Sequence, residues 1–198
     1  MSDTKHHRRT QAERRAESRQ AVLDSACRLF AANGYADTAL EDIAIDCGLT
    51  IRPIYHYFGH KKGLFAAVNE VAEQRIIASM QAVAESNASP TGLAQWRAYL
   101  DLCDDPGFRQ VVLIDSPNIL GRERWNNSPV SVAVRSTLTS SELGNVAEQF
   151  RSTLLQAVVM GAFAEAALTI AAADDMAMAR AEAEQLMEVL FSGVWSEC

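Results

Sequence analysis

Apolar residues recur along this chain at steps of three and four, the spacing of a helix with one buried face. Val22, Ala26, Leu29 and Phe30 form the first such stripe and predict a helix over residues 12–33, stopped at Asn33-Gly34. Leu40, Ile43, Ala44 and Cys47 form a second, shorter stripe. Thr38 stands ahead of it, where a hydroxyl can cap free N–H groups, and Gly48 follows where a left-handed residue ends a helix. Thr50 is placed to cap a third helix, with Pro53 in its first turn, where a missing N–H costs little. Ile54 and Phe58 point inward one turn apart, leaving Arg52, Tyr55 and His56 outside with Thr50 and Ile51 beside them. Ala44 is small enough to let the two short helices cross closely. Lys61-Lys62 opens a long helix over residues 61–86, with a stripe of Leu64, Val68, Val71-Ala72, Ile76, Met80 and Val83.

The helical period continues in the second half, so the fold class is all-α. Turn residues over 87–92 mark a break. A helix over 93–103 carries Trp96, Leu100 and Cys103 on one side, and Asp104-Asp105-Pro106 starts the next, with Phe108, Val111, Val112 and Ile114 inward. Residues 116–131 read as irregular, 129–139 as a helix and 140–145 as a turn. Two long apolar helices follow, over 146–172 and 175–195, the first rich in alanine and containing Gly161.

Two short helices about a glycine, the second bearing Arg, Tyr and His on its outer side, have the build of a helix-turn-helix, whose second helix enters the DNA major groove. A plain pair of packed helices would show the same spacing. The segment resembles the DNA-binding domain of the TetR family of transcriptional regulators. The resemblance is carried by Thr38, Asp42-Ile43-Ala44, Gly48, Leu49-Thr50, Ile54-Tyr55-His56-Tyr57-Phe58, Lys61 and Leu64-Phe65, and upstream by residues 22–30 and Asn33-Gly34-Tyr35. It covers residues 19–68; the rest is similar in length and helical pattern. Arg52-Pro53 departs from the small residues usual there, which bears on the DNA sequence preferred and not on the fold.

Residues 1–12, polar, charged and without periodicity, read as a flexible basic arm, and the resemblance implies a three-helix DNA-binding domain (13–66) and a helical effector-binding and dimerisation domain (67–198). It implies a homodimer joined through the last two helices on a palindromic site in double-stranded DNA. As a repressor, it would be released by a small molecule bound among the body helices. The DNA-facing set is Thr38, Thr50, Ile51, Arg52, Tyr55, His56, Tyr57 and Lys61. The fork of Arg52 suits guanine O6 and N7, while Thr38, Tyr57 and Lys61 suit phosphates. A DNA-binding regulator without an effector, or an activator, fits the sequence equally.

Charge first argues against DNA: the net value is −7. Its distribution answers that. Residues 1–65 carry ten Lys/Arg against eight Asp/Glu, and residues 66–198 carry eight against seventeen. Screening beyond about 8–10 Å makes the local field decisive. The Arg-rich arm is either a DNA contact or a solvated tail. The run 158–173 comes nearest to a membrane span but contains Glu165. No apolar leader precedes residue 20, so a cytoplasmic protein without membrane contact is expected. Cys27, Cys47, Cys103 and Cys198 form no metal or redox pair by spacing, and no metal or cofactor is expected.

No nucleophile elbow, phosphate loop or zinc-protease motif occurs, which argues against an enzyme. Candidate walls of an effector site are Trp96, Leu100, Cys103, Phe108, Trp125 and Phe163, although ordinary core packing accounts for any one of them more readily. Glu165 stands inside an apolar helix; a buried carboxylate there needs a partner, and an exposed one does not.

Overall fold

Helix α1 (Gln11–Asn33) starts at a reciprocal cap: the Glu13 N–H donates to Thr10 Oγ1 at 3.2 Å and the Thr10 N–H to Glu13 Oε2 at 2.6 Å. The computed structural model describes residues 10–86, 92–121, 123–124, 127–133 and 148–195. Most of the proposed arm, and the turn expected at 140–145, lie outside them; residues 11 and 12 are already helical. The chain divides into two compact units, Met1–Val68 and Asn69–Cys198.

The first unit holds α1, α2 (Leu40–Asp46), α3 (Arg52–Phe58) and the opening turns of α4 (Lys61–Ser86). Its core is Val22, Leu23, Ala26, Phe30, Leu40, Ile43, Ala44, Ile54, Leu64, Phe65 and Val68. Phe30 meets the edge of Phe65 at 5.2 Å, and Tyr35 stacks on Phe30 at 5.8 Å. Each of the two sealed phenylalanines contributes about 1.5–3 kcal/mol from burial. α2 ends in a Schellman turn: the Gly48 N–H donates to Ile45 O and the Leu49 N–H to Ala44 O, with Gly48 at φ 68°.

The second unit holds the remainder of α4, α5 (Gly92–Cys103), α6 (Pro106–Arg109), a π-helical stretch (Gln110–Asp115), α7 (Ser116–Ile119), α8 (Glu148–Ala172) and α9 (Met176–Trp195). Residues 129–133 are also helical. Asp105 caps α6, accepting from the Gly107 and Phe108 N–H groups, and Asp175 accepts from the Met178 N–H at the start of α9. Arg180 pairs with Asp101 and Asp104, and Arg97 with Glu184 and Glu188, linking α5 to α9 across the surface. No helix among the described residues is long and apolar enough to cross a membrane.

Two expectations fail here. Residues 116–119 are helical, not irregular, and Ile114 is 43% exposed while Leu113 is buried. Pro117 supplies the reason. It cannot donate, and its ring displaces the carbonyl four residues back. The helix widens ahead of it, so that the Ser116 N–H reaches Val111 O, five residues earlier. The extra residue per turn rotates Ile114 out of the stripe. The Asn118 side chain then donates to Ile114 O at 2.7 Å.

On α4, Val71, Met80 and Val83 are only half-buried, whereas two polar residues, Asn69 and Glu73, are sealed. The Glu73 carboxylate receives both arms of the Arg124 guanidinium at 3.2 and 3.1 Å and the Asn69 amide at 2.9 Å. A carboxylate can occupy such a place because these three donors offset the loss of water. Arg124→Leu would leave the carboxylate uncompensated, and urea unfolding should show a loss of about 3 kcal/mol.

Candidate nucleic-acid interface

Only seven residues long, α3 is held from below by Ile54, which is fully buried, and by the half-buried Phe58, under the Arg19 guanidinium at 5.2 Å. Arg52, Tyr55 and His56 occupy its exposed side. Tyr57 is half-buried and meets the His56 ring edge-on at 5.0 Å. Ile51, half-buried, is the N-cap and makes no side-chain cap; Pro53 sits in the first turn. Thr50 is exposed one residue earlier, so its expected capping role is not met.

Thr38 requires a larger correction. Its side chain is sealed, with the hydroxyl 2.7 Å from Gly34 O and 3.2 Å from Leu29 O. It closes the turn after α1 and presents no hydroxyl to a phosphate. The N-cap of α2 is Ala39, whose N–H donates to the Asp42 carboxylate at 3.4 Å.

The junction between α3 and α4 is tightly built. Gly59 leaves α3 at φ 76°, and His60 caps α4, its Nδ1 accepting from the Gly63 N–H at 2.9 Å. A Cβ on Gly63 would lie 2.1 Å from Phe58 O. Lys61 is half-buried: its Nζ donates to Ala36 O at 3.2 Å and lies 4.5 Å from the Tyr35 ring centre. That carbonyl uses one of three ammonium protons.

Residues 22–68 match the model of bacterial regulatory proteins of the tetR family, and residues 91–194, just over half the chain, match that of the tetracyclin repressor-like C-terminal domain. The chain belongs to the TetR family. It is a transcriptional regulator with an N-terminal helix-turn-helix domain and a helical C-terminal domain. Over 60 residues it is 42% identical to the HTH-type transcriptional regulator AcrR of Shigella flexneri, a match spanning 30% of this chain and 28% of that one. A TetR-family regulator from Pectobacterium atrosepticum is similar at TM-score 0.69 and 29% identity over 94% of this chain and 98% of its own. FadR of Bacillus subtilis, solved with stearoyl-CoA, shares the fold at TM-score 0.61 and 16% identity over 88% and 98%.

In the C-terminal part of this TetR-family chain, Trp96, Leu100, Cys103 and Phe108 are buried. Half-buried Phe163 packs on Trp96 at 4.7 Å, whereas Phe108 lies under the Arg75 guanidinium at 5.2 Å. Trp125 is outside the described residues. Glu165 is exposed, so the buried carboxylate considered for an effector site is not there. Its position on α8 shares the outer stripe of Leu154, Val158 and Gly161. The periodicity also passed over Tyr99, which lies between Trp96 and Phe163 at 6.4 and 5.9 Å. Its one-turn spacing from Cys103 was the available signal. Burial pushes the Cys103 thiol up to about 11, which keeps it protonated at neutral pH.

Asp46 ties α2 to α1. The Ser25 hydroxyl, and then the Arg28 guanidinium, hold its carboxyl below the usual range. A lowered folded value means that this tie is in force above the ordinary carboxylate pKa of about 3.9 and is lost as pH falls through the lowered one. NMR titration of the Asp46 carboxyl should show an upward shift in Ser25→Ala. Gly63→Ala should lower stability by about 2–3 kcal/mol on thermal unfolding, because a backbone carbonyl must move.

Proposed function

We propose that this regulator binds palindromic double-stranded DNA as a homodimer and represses transcription until a small molecule bound in its helical C-terminal domain releases it. The observation that carries the DNA role is the division of α3. Ile54 is sealed beneath the helix, while Arg52, Tyr55 and His56 stand clear on its far side. Arg52 reads a guanine edge, Tyr55 and His56 contact neighbouring bases, and Ile51 offers a methyl-rich flank. Thr50, Tyr57 and Lys61 hold phosphates, Lys61 with the two protons that Ala36 O leaves unused.

Dimerisation is supported by the outer faces of the last two helices. Leu154 and Val158 on α8, and Met178, Leu186 and Val189 on α9, are each more than half exposed. Gly161 on the same face of α8 has open space where a Cβ would be, which lets a second helix approach closely. Two copies so joined can place recognition helices about 34–36 Å apart, one major-groove turn. The effector acts by binding more tightly to the conformation that cannot span this distance.

Selection of bound fragments from random DNA, followed by fluorescence anisotropy on the enriched sequence, tests the reading. A palindrome should emerge. Arg52→Ala should weaken its binding by about 1–3 kcal/mol and relax one position of the site, and Lys61→Ala should reduce the salt slope by about one. Unchanged affinity in both variants would remove α3 from the interface. Val158→Glu combined with Leu186→Glu should convert a dimer to a monomer in sedimentation velocity; a dimer that persists would place the seam elsewhere.

A further inference from the structure

The Trp96 side chain has no exposed surface, and its indole Nε1–H has no acceptor among the described residues. A buried donor left unpaired costs about 1–3 kcal/mol. Buried polar groups are paired in the great majority of cases, and an orphan calls for an explanation. Three rings surround the question. Phe163 of α8 lies 4.7 Å from Trp96 with planes at 53°, and Tyr99 lies 6.4 Å from Trp96 and 5.9 Å from Phe163. Tyr99 and Phe163 are partly buried, whereas Trp96 is sealed behind them in the same cluster.

We propose that the Trp96 indole N–H is the polar anchor of the effector site, and that the effector is an uncharged, flat, ring-bearing molecule with one hydrogen-bond acceptor, such as a ketone. This deepens the effector part of the function proposed above and rests on it. A ring needs about 3.5–4.0 Å to each neighbour. The 4.7 Å between Trp96 and Phe163 therefore admits none until Phe163 swings outward. The ligand takes the place of that ring against Tyr99 and offers its acceptor to the orphan donor. Lack of charge follows from the chemistry around Trp96. The Tyr99 hydroxyl donates to Cys103 Sγ, and burial holds both groups in their neutral forms. Arg109, the cation whose charge reaches Cys103, is engaged by the Cys103 carbonyl, and desolvating an unpaired carboxylate is costly.

The test uses the full chain with three probes: 1-tetralone, its acceptor-free counterpart tetralin, and the anion 1-naphthoate. Tetralone should bind about tenfold more tightly than tetralin, the worth of one net hydrogen bond, and naphthoate more weakly than either. The Trp96 indole proton should move downfield with tetralone alone in ¹⁵N–¹H spectra, the resonance being assigned by its loss in Trp96→Phe. That variant should bind the ketone and the hydrocarbon equally. Phe163→Ala should tighten both while keeping the tenfold preference. Equal affinities in the unsubstituted protein, no binding of tetralone at 1 mM, or a preference that survives in Trp96→Phe would each overturn the proposal. Operator release is measured separately. Tetralone that binds through Trp96 without releasing DNA sinks the effector reading and spares the site. Release by an anionic compound with Trp96 undisturbed does the reverse.

Discussion

A seven-residue helix has almost no stability of its own in water, because nucleation is unfavourable and too few hydrogen bonds follow it. α3 exists because Ile54 is buried beneath it and because both of its ends are fixed by neighbouring backbone. The Schellman turn at Gly48 delivers the chain from α2, and the Gly59–Gly63 junction passes it to α4. Every exposed side chain on α3 depends on that one buried isoleucine and those two turns.

These features were readable in advance because they are local. Gly48 stands after an apolar face, Pro53 in a first turn, and Ile54 one helical turn from Phe58. Each obeys a rule of spacing or backbone conformation that needs no knowledge of distant residues. What escaped was decided by partners far along the chain. Thr38 has the sequence position of a cap, yet its hydroxyl turns back to Gly34 and Leu29. Glu73 looks like a surface carboxylate until Arg124, 51 positions later, is brought to it.

The second unit was less legible for a different reason. Its helices are rich in alanine and apolar on more than one side, so a hydrophobic stripe does not say which face is inward. The π-helical stretch before Pro117 adds a rotation that no uniform period captures. Hence Ile114 and Leu113 exchanged places, and Glu165 came to lie outside with Leu154 and Val158. Trp96 and Phe163 stand out on their own helices, but the place of Tyr99 beside both rings is set by how α5 and α8 pack.

The contact between Gly63 and the Phe58 carbonyl limits how this protein can diversify. A methyl group at position 63 already collides with main chain, so the platform beneath α3 cannot drift by small steps. Under the function proposed, a descendant that acquires a new target sequence must do so by exchanging the outward residues 52, 55 and 56, with the scaffold inherited unchanged. Recognition and architecture are thereby separated into two sets of positions, one free to vary and one frozen.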